Sequence, residues 1–192
     1  YNRQAFENMA HTDSLTGLNN RRCFEYLAQQ LVQQNFDQPV PMSLLVFDVD
    51  HFKQINDRYG HDIGDQVLQT IALNTHSEMR QHDILARYGG EEFIAFLPET
   101  SLDEALKVAE RLRHKIENIV IDLDSQHRFS FSISIGAAIL GSCETDLMTL
   151  IKQADIALYQ AKANGRNRVE AYDPDLEQSL AGEMQNWQVK QA

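Results

Sequence analysis

Apolar residues recur along the chain at two different spacings, which separate predicted helices from predicted strands. A period of three to four residues is typical of a helix with one buried face, whereas alternation or a short continuous apolar run is typical of a strand. The helical period predicts helices over residues 1–10, 22–34, 101–118 and 145–163, and another from about residue 62 onward. The strand patterns predict strands over residues 42–47, 83–88, 91–97, 128–139 and 167–172.

Two glycines, Gly89 and Gly90, separate two of the predicted strands and predict an antiparallel hairpin. We expect a two-residue turn there because glycine accepts a positive φ. Helices and single strands precede and follow this hairpin. That order predicts an α/β (α+β) domain with helices around a central sheet that is mixed and mostly antiparallel.

The composition is typical of one folded domain, with 192 residues of which 43% are apolar and 23% charged. Seventeen Lys and Arg against 28 Asp and Glu give a net charge of −11. This charge opposes the binding of a polyanion through its phosphates, so we expect no nucleic-acid partner. No apolar run reaches the about 20 residues that span a bilayer, so we expect no direct membrane contact.

The two cysteines, Cys23 and Cys143, lie far apart and form no CxxC or Cys/His cluster. Neither a zinc site nor a disulfide framework is predicted, and a reducing, cytosolic setting is favoured. The first residue is Tyr1 rather than methionine, and no segment is typical of a signal peptide. We therefore expect the sequence to be a piece of a longer protein.

Acidic residues follow two of the predicted strands. Asp48 and Asp50 end an apolar run, two residues apart and so on one face, where they either cap the strand in solvent or hold a hard cation such as Mg²⁺, Mn²⁺ or Ca²⁺. Glu91 and Glu92 follow the glycine turn and are either an exposed polar tip or part of the same site. If the hairpin pairs beside the strand that carries Asp48, a three-carboxylate pocket suited to phosphoryl or nucleotidyl transfer results.

Four motifs stand in a fixed order along the chain. They are DSLTGLNNRR at 13–22, DVDHFKQINDRYGHDIGD at 48–65, RYGGEEF at 87–93 and AKANGRNRV at 161–169. Together they resemble the GGDEF family of diguanylate cyclases, in its GGEEF variant, across about residues 11–172. The resemblance implies a palm-like fold related to class III nucleotide cyclases. It also implies that two GTP molecules are joined into cyclic di-GMP with release of two pyrophosphates.

The resemblance implies a metal site and a set of catalytic residues. Asp48, the carbonyl of Val49 and Glu91 match the family's ligands for Mg²⁺, or alternatively Mn²⁺, with two ions in each active site. Glu91 also matches the proposed proton acceptor, and we group it with Glu92 and Lys53 as catalytic. An ammonium at Lys53 would oppose the charge that grows on the phosphate oxygens, although read alone it is a solvated lysine at a helix start.

The resemblance also implies a set of substrate contacts. They are Phe52, Asn56, His61, Asp65, Gly89, Gly90, Lys162 and Arg166. Guanine requires an acceptor for its N–H groups and a donor for its O6, which Asn56 and Asp65 can supply; read alone, these two are turn or N-cap residues. Lys162 and Arg166 match positions near the triphosphate, and read alone they are cations at a helix end.

An RxxD pair, Arg80 and Asp83, matches the family's inhibitory product site by its position before the glycine turn. An arginine fork can bind guanine or phosphate bidentately, and a carboxylate can accept from the guanine edge. Arg111, on the following helix, is a further expected contact from a neighbouring domain. Cyclic di-GMP is therefore expected to be both product and inhibitor.

The resemblance further implies a homodimer, because one protomer with one GTP cannot close the ring alone. We expect residues 1–10 to be the end of a signalling helix from an upstream sensor, and residues 173–192 to be a C-terminal helical tail. An apolar stripe in that tail either packs on the domain or contacts a partner. Two other readings stay open: an inactive domain that binds GTP or cyclic di-GMP, and a template-dependent polymerase palm, which the negative charge disfavours.

Overall fold

The computed structural model describes residues 11–35, 39–124, 127–141 and 146–175. The predicted helix over 1–10, the apolar stripe of the tail and Cys143 lie outside these residues. The helices are α1 (Arg21–Gln34), α2 (Phe52–Tyr59), α3 (His61–Glu78), α4 (Leu102–Glu117) and α5 (Leu147–Ala163). The strands are β1 (Asn19–Asn20), β2 (Ser43–Val49), β3 (Ile84–Arg87), β4 (Glu92–Leu97), β5 (Val120–Asp122), β6 (Arg128–Ser130), β7 (Ile133–Ile139) and β8 (Val169–Ala171).

Six strands form the central sheet, in the order β1-β3-β4-β2-β7-β8. β2 lies in the middle and is antiparallel to both β4 and β7, and β3 is antiparallel to β4. Only the two edge pairs, β1 with β3 and β7 with β8, are parallel. The predicted α/β fold with a mixed, mostly antiparallel sheet is therefore confirmed.

The two faces of the sheet carry separate apolar cores, because successive side chains of a strand point to opposite faces. Leu45 and Phe47 of β2 face the core that includes α3 and α4. Leu44 and Val46 face the core that includes α1 and α5. The same alternation places Asp48, at the end of β2, on the α1 and α5 face.

Helix α5 packs directly on β7 at Gly136. A Cβ atom at this position would lie 2.1 Å from the carbonyl oxygen of Ala154 and 2.3 Å from the backbone nitrogen of Leu158. Real Cβ atoms do not approach backbone so closely, so only glycine allows this contact. The close approach fixes the helix over the sheet and carries its last turn, with Lys162, to the end of β2.

Four predicted helices correspond to observed ones, and the Ser101–Glu104 capping box at the start of α4 is present. Helix α2 was not predicted as a separate element. It ends at Gly60, whose φ of 91° breaks the helical path before α3 begins. The predicted strand over 128–139 is also wrong as a single element, because it divides after Ser130 into β6, which pairs with β5 in a separate two-stranded sheet, and β7.

The glycine hairpin forms as predicted between β3 and β4, but the reason given for its glycines is wrong. Neither Gly89 nor Gly90 has a positive φ. The backbone N–H of Tyr88 donates to the carbonyl of Glu92 at 2.8 Å, so three residues rather than two form the turn. A Cβ at Gly89 would lie 3.1 Å from a carboxylate oxygen of Glu92, so close approach to that side chain favours glycine there.

Candidate active site

Asp48 is a buried carboxylate at the end of the central strand, with 4% of its surface exposed. Lys162 Nζ, from the last turn of α5, donates a hydrogen bond to its Oδ2. Its Oδ1 is buried and has no hydrogen-bond partner in the described part of the chain. Burial raises the pKa of Asp48, and the charge of Lys162 opposes that rise. Lys162 therefore orients one carboxylate oxygen of Asp48 and leaves the other unpaired by any described residue.

Glu92 stands directly opposite Asp48 in the β2–β4 register. The hairpin therefore pairs beside this strand, which meets the condition that the sequence pattern left open. Burial and then the charge of Asp48 raise the pKa of Glu91 to about 7. The same two causes raise the pKa of Glu92. Three carboxyl groups thus share one partly desolvated region, where like charges favour uptake of a proton or a cation.

Asp50 differs from Asp48 because both of its carboxylate oxygens accept hydrogen bonds from the protein. Its Oδ1 accepts from Ser134 Oγ and its Oδ2 from Ser132 Oγ, both at 2.6 Å, and Oδ2 also accepts from the backbone N–H of Asn167 at 3.0 Å. Ser134 stands opposite Asp48 in the β2–β7 register. Protein donors therefore occupy both oxygens of Asp50, whereas Asp48 has one oxygen without a partner among the described residues.

The donor set at this site suits a hard divalent cation. Within the described residues, no three His, Cys, Asp or Glu side chains converge closely enough to bind an ion by themselves. The set implied by the family differs, since it consists of Asp48, Glu91 and the backbone carbonyl of Val49. All three offer the oxygen ligands that Mg²⁺ and Mn²⁺ prefer. The unpartnered oxygen of Asp48 and its repulsion with Glu91 agree with this set.

Asn56 lies where helices α2 and α3 meet. A Cβ atom added at Gly64 would lie 1.9 Å from Asn56 Oδ1 and 3.3 Å from the ring of Phe52, so glycine provides the space that the amide occupies. Asn56 Oδ1 is buried and has no hydrogen-bond partner among the described residues. The Asn56 amide therefore packs beside Gly64, and no residue in the described part of the chain uses its Oδ1.

Three other predicted site residues, Lys53, His61 and Asp65, lie near the starts of the same two helices. All three side chains are exposed. None of them has a hydrogen bond or an ion pair in the part of the chain that the structure describes. Within the described residues none of the three is hydrogen-bonded to Asp48, and all three face solvent at the starts of α2 and α3.

The glycine turn is held by Arg87, a residue that the sequence patterns did not single out for function. Its guanidinium donates to the Gly90 carbonyl from Nε at 3.0 Å and from a terminal nitrogen at 2.6 Å. The other terminal nitrogen donates to both oxygens of Asp13 at 3.2 Å. The DSLTGL motif is therefore tied through one arginine to the turn that carries Glu91. Its position at the start of RYGGEEF was the only sequence signal.

Asp155 is a second residue that was missed. It lies on α5 two helical turns before Lys162, and its Oδ1 is buried without a hydrogen-bond partner in the described chain. Burial and then the charge of Glu92 raise its pKa to about 7. A lone acid on the mostly apolar face of a predicted helix was the signal that could have found it.

The predicted inhibitory residues divide into two groups. Asp83 Oδ2 accepts from the backbone N–H of Arg80 at 2.7 Å, so the RxxD pair closes a turn, and the Arg80 side chain is exposed. Arg111, by contrast, donates from Nε to Glu78 at 2.5 Å within the same chain. Arg111 is therefore already paired with Glu78, while its side chain is 56% exposed and keeps N–H donors for a ligand.

Comparison with known proteins identifies the family of the chain. The family described as "Diguanylate cyclase, GGDEF domain" matches residues 10–168. The response regulator PleD of Caulobacter vibrioides is 44% identical over 163 residues, which are 84% of this chain and 36% of PleD. The solved GGDEF domain of DgcB from Caulobacter crescentus, in complex with c-di-GMP, superposes with a TM-score of 0.82 at 30% identity and covers 86% of this chain and 95% of that one.

A further solved structure, the active GGEEF domain of a diguanylate cyclase from Vibrio cholerae, has a TM-score of 0.74 at 33% identity and covers 80% of this chain and 97% of that one. The chain therefore belongs to the GGDEF family of diguanylate cyclases. It spans 36% to 45% of the length of the curated relatives it matches. No helix among the described residues is long and apolar enough to cross a membrane.

Proposed function

We propose that this domain joins two GTP molecules into cyclic di-GMP and releases two pyrophosphates. The observation that carries the proposal is the meeting of Asp48, Lys162 and the Glu91 turn at the ends of two central strands. An anionic pair beside a cation suits a triphosphate that arrives with a divalent ion. Each GTP 3′-oxygen bonds to the α-phosphorus of the other GTP as the bond to pyrophosphate breaks, and the hydroxyl proton must be accepted.

Each residue has a proposed part in this reaction. Asp48, the Val49 carbonyl and Glu91 would hold Mg²⁺, or Mn²⁺ in its place, with two ions in each site. The bound ion would supply positive charge that acidifies the hydroxyl and offsets the triphosphate. Glu91 accepts the hydroxyl proton.

The remaining residues bind and orient the substrate. Asn56 and Asp65 contact the guanine edge, and Lys53 stabilises the charge that grows on the phosphate. Lys162 and Arg166 bind the triphosphate. We group Phe52, His61, Gly89, Gly90 and Glu92 with the same substrate-binding and catalytic surface.

The assembly is part of the proposal. A protomer with one GTP must face a second protomer for the ring to close, so the active form is a homodimer. An upstream sensor sets the facing arrangement, in a cytosolic setting. Cyclic di-GMP inhibits through Arg80 and Asp83, with Arg111 as a contact from the neighbouring domain.

Product identification tests the proposal. The chain is incubated with GTP and Mg²⁺ over a range of protein concentrations, and the nucleotides are separated and identified by mass. We expect cyclic di-GMP and pyrophosphate in a ratio of one to two, with a rate that rises faster than the protein concentration. Tight binding of GTP or cyclic di-GMP with no turnover at any concentration would instead identify a receptor domain.

A further inference from the structure

Three consecutive residues after α5 have left-handed backbones: Gly165 at φ 112°, Arg166 at 63° and Asn167 at 46°. Glycine adopts this conformation freely, asparagine tolerates it, and arginine rarely does. A strained backbone of this kind persists only where its surroundings hold it. The Arg166 side chain is exposed and has no hydrogen bond or ion pair within the described residues, so it does not stabilise the left-handed backbone.

Asn167 makes the contacts that hold this segment. Its backbone N–H donates to Asp50 Oδ2 at 3.0 Å. Its Nδ2 donates to Glu117 Oε1 at 2.9 Å, and its Oδ1 accepts from Arg113 at 2.9 Å. The contacts come from the end of the central strand and from the last turns of α4, so the loop is attached to two separate elements.

The partners of Asn167 are themselves fixed. Asp50, only 5% exposed, accepts from two serine hydroxyls at the start of β7. Arg113 also donates to Glu117 at 2.8 Å, and its side chain is 12% exposed. A loop held by such partners cannot relax its backbone without breaking several hydrogen bonds together.

Both aspartates of the 48–50 motif hold this one segment. Asp48 accepts from Lys162 at the end of α5, and Asp50 accepts from the backbone of Asn167. Arg166 lies between these two attachments, and its exposed guanidinium has no partner among the described residues. A strained backbone that is fixed at both sides can hold such a cation preorganised for an anion.

We propose that Asn167, anchored by Asp50 and Glu117, is a positioning residue that holds Arg166 for the triphosphate of GTP. This inference rests on the proposed function. It gives the second aspartate of the motif a role other than metal binding. It also separates binding of the triphosphate end from binding of guanine, since Asn56 lies on other elements.

Binding of two nucleotides tests this role. A GTP analogue with a methylene α,β-bridge and GMP are titrated calorimetrically, with Mg²⁺, into the wild type and the Asn167→Ala, Asn167→Gly and Arg166→Ala variants. We expect each variant to bind the analogue about tenfold more weakly, as for loss of one arginine–phosphate contact. GMP affinity should not change, which also verifies that each variant is folded. Asn167→Gly tolerates the left-handed backbone and so isolates the loss of the side-chain hydrogen bonds.

The double variant and a control complete the test. The double variant Arg166→Ala/Asn167→Ala should bind the analogue no more weakly than Arg166→Ala alone, because both changes remove the same contact between Arg166 and the phosphates. Asn164→Ala removes a hydrogen bond to Glu170 on the outside of the same loop and should change neither affinity.

Three results would overturn the inference. Asn167→Ala could bind the analogue as tightly as the wild type does, or the affinity losses of Asn167→Ala and Arg166→Ala could multiply in the double variant. The third is a fall in GMP affinity as large as the fall in affinity for the analogue. A wild-type chain that binds no GTP would overturn the proposed function first.

Discussion

Lys162 Nζ donates a hydrogen bond to Asp48 Oδ2 across the end of the central sheet, and both side chains are largely buried, at 16% and 5% exposed. The pair joins the last turn of α5 to the strand that carries the acidic site. A buried ion pair is costly to break from one side because the remaining charge is left without a partner.

Lys162→Met should therefore destabilise the metal-free domain by about 3 kcal/mol at pH 8. This loss of unfolding free energy should be smaller at lower pH. Without the lysine, the pKa of Asp48 lies further above its unfolded value, so the penalty is present at high pH and is lost as Asp48 takes up a proton. Urea unfolding at pH 5 and pH 8 measures this. Lys107→Met, on the exposed face of α4, is the control and should cost little at either pH.

Asp155 should make the free energy of unfolding fall as the pH rises. Its pKa is raised from 3.8 to about 7, so between these values the folded state binds a proton that the unfolded state releases. The stabilisation is full below pH 3.8 and is lost as pH rises through 7. Asp155→Asn should remove this decline, which amounts to at most about 4 kcal/mol.

Unfolding free energies measured from pH 4 to pH 8 would reveal the difference in slope. The same change at Asp122, an exposed residue on β5, should leave the slope as in the wild type. Equal slopes for Asp155→Asn and the wild type would contradict the assignment.

Gly64→Ala should displace the Asn56 amide, because the new Cβ would lie 1.9 Å from its oxygen. Overpacking of this kind typically costs about 1–3 kcal/mol of stability. We expect GTP and GMP to bind at least about tenfold more weakly, since the guanine contact is lost with either nucleotide. In the Asn56→Ala background the same change should add little, because the clashing side chain is absent. If the affinity losses of Gly64→Ala and Asn56→Ala add in the double variant, Gly64 does not act through the Asn56 amide.

Arg87→Lys should loosen the turn that carries Glu91. A lysine cannot reproduce the guanidinium fork that binds the Gly90 carbonyl and Asp13 together. We expect kcat for cyclic di-GMP formation to fall about tenfold, with a smaller change in KM for GTP, because the guanine contacts are on other elements. Arg128→Lys, exposed on β6, is the control. A change in KM alone would argue against this role.

The helices and most strands could be predicted because burial imposes a period on the sequence. The order of strands could not be read from that period, so the meeting of Asp48 with the Glu91 turn was predicted only on the condition that their strands pair. The break between β6 and β7 was missed because apolar alternation runs through Phe131 without interruption. It is Phe131 and Ser132 that separate two sheets.

The site residues found in advance lie in local motifs, whereas those that were missed act through long-range contacts. Asp155 joins the acidic cluster only because α5 packs on β7. Asn167 meets Asp50 and Glu117 only in the folded chain. The local pattern left Asp50 open between a cap of the strand end and a part in a cation site, and the hydrogen bonds from Ser132 and Ser134 give it a structural role instead.

The central claim is that Asp48 and Glu91 act together on GTP with a divalent ion. It is tested most directly by the rate of cyclic di-GMP formation in Mg²⁺ by Asp48→Asn and Glu91→Gln. Both substitutions keep side-chain size and remove one charge. We expect each to lower the rate by at least about a hundredfold while GMP still binds. A variant that makes cyclic di-GMP at the wild-type rate would contradict the account.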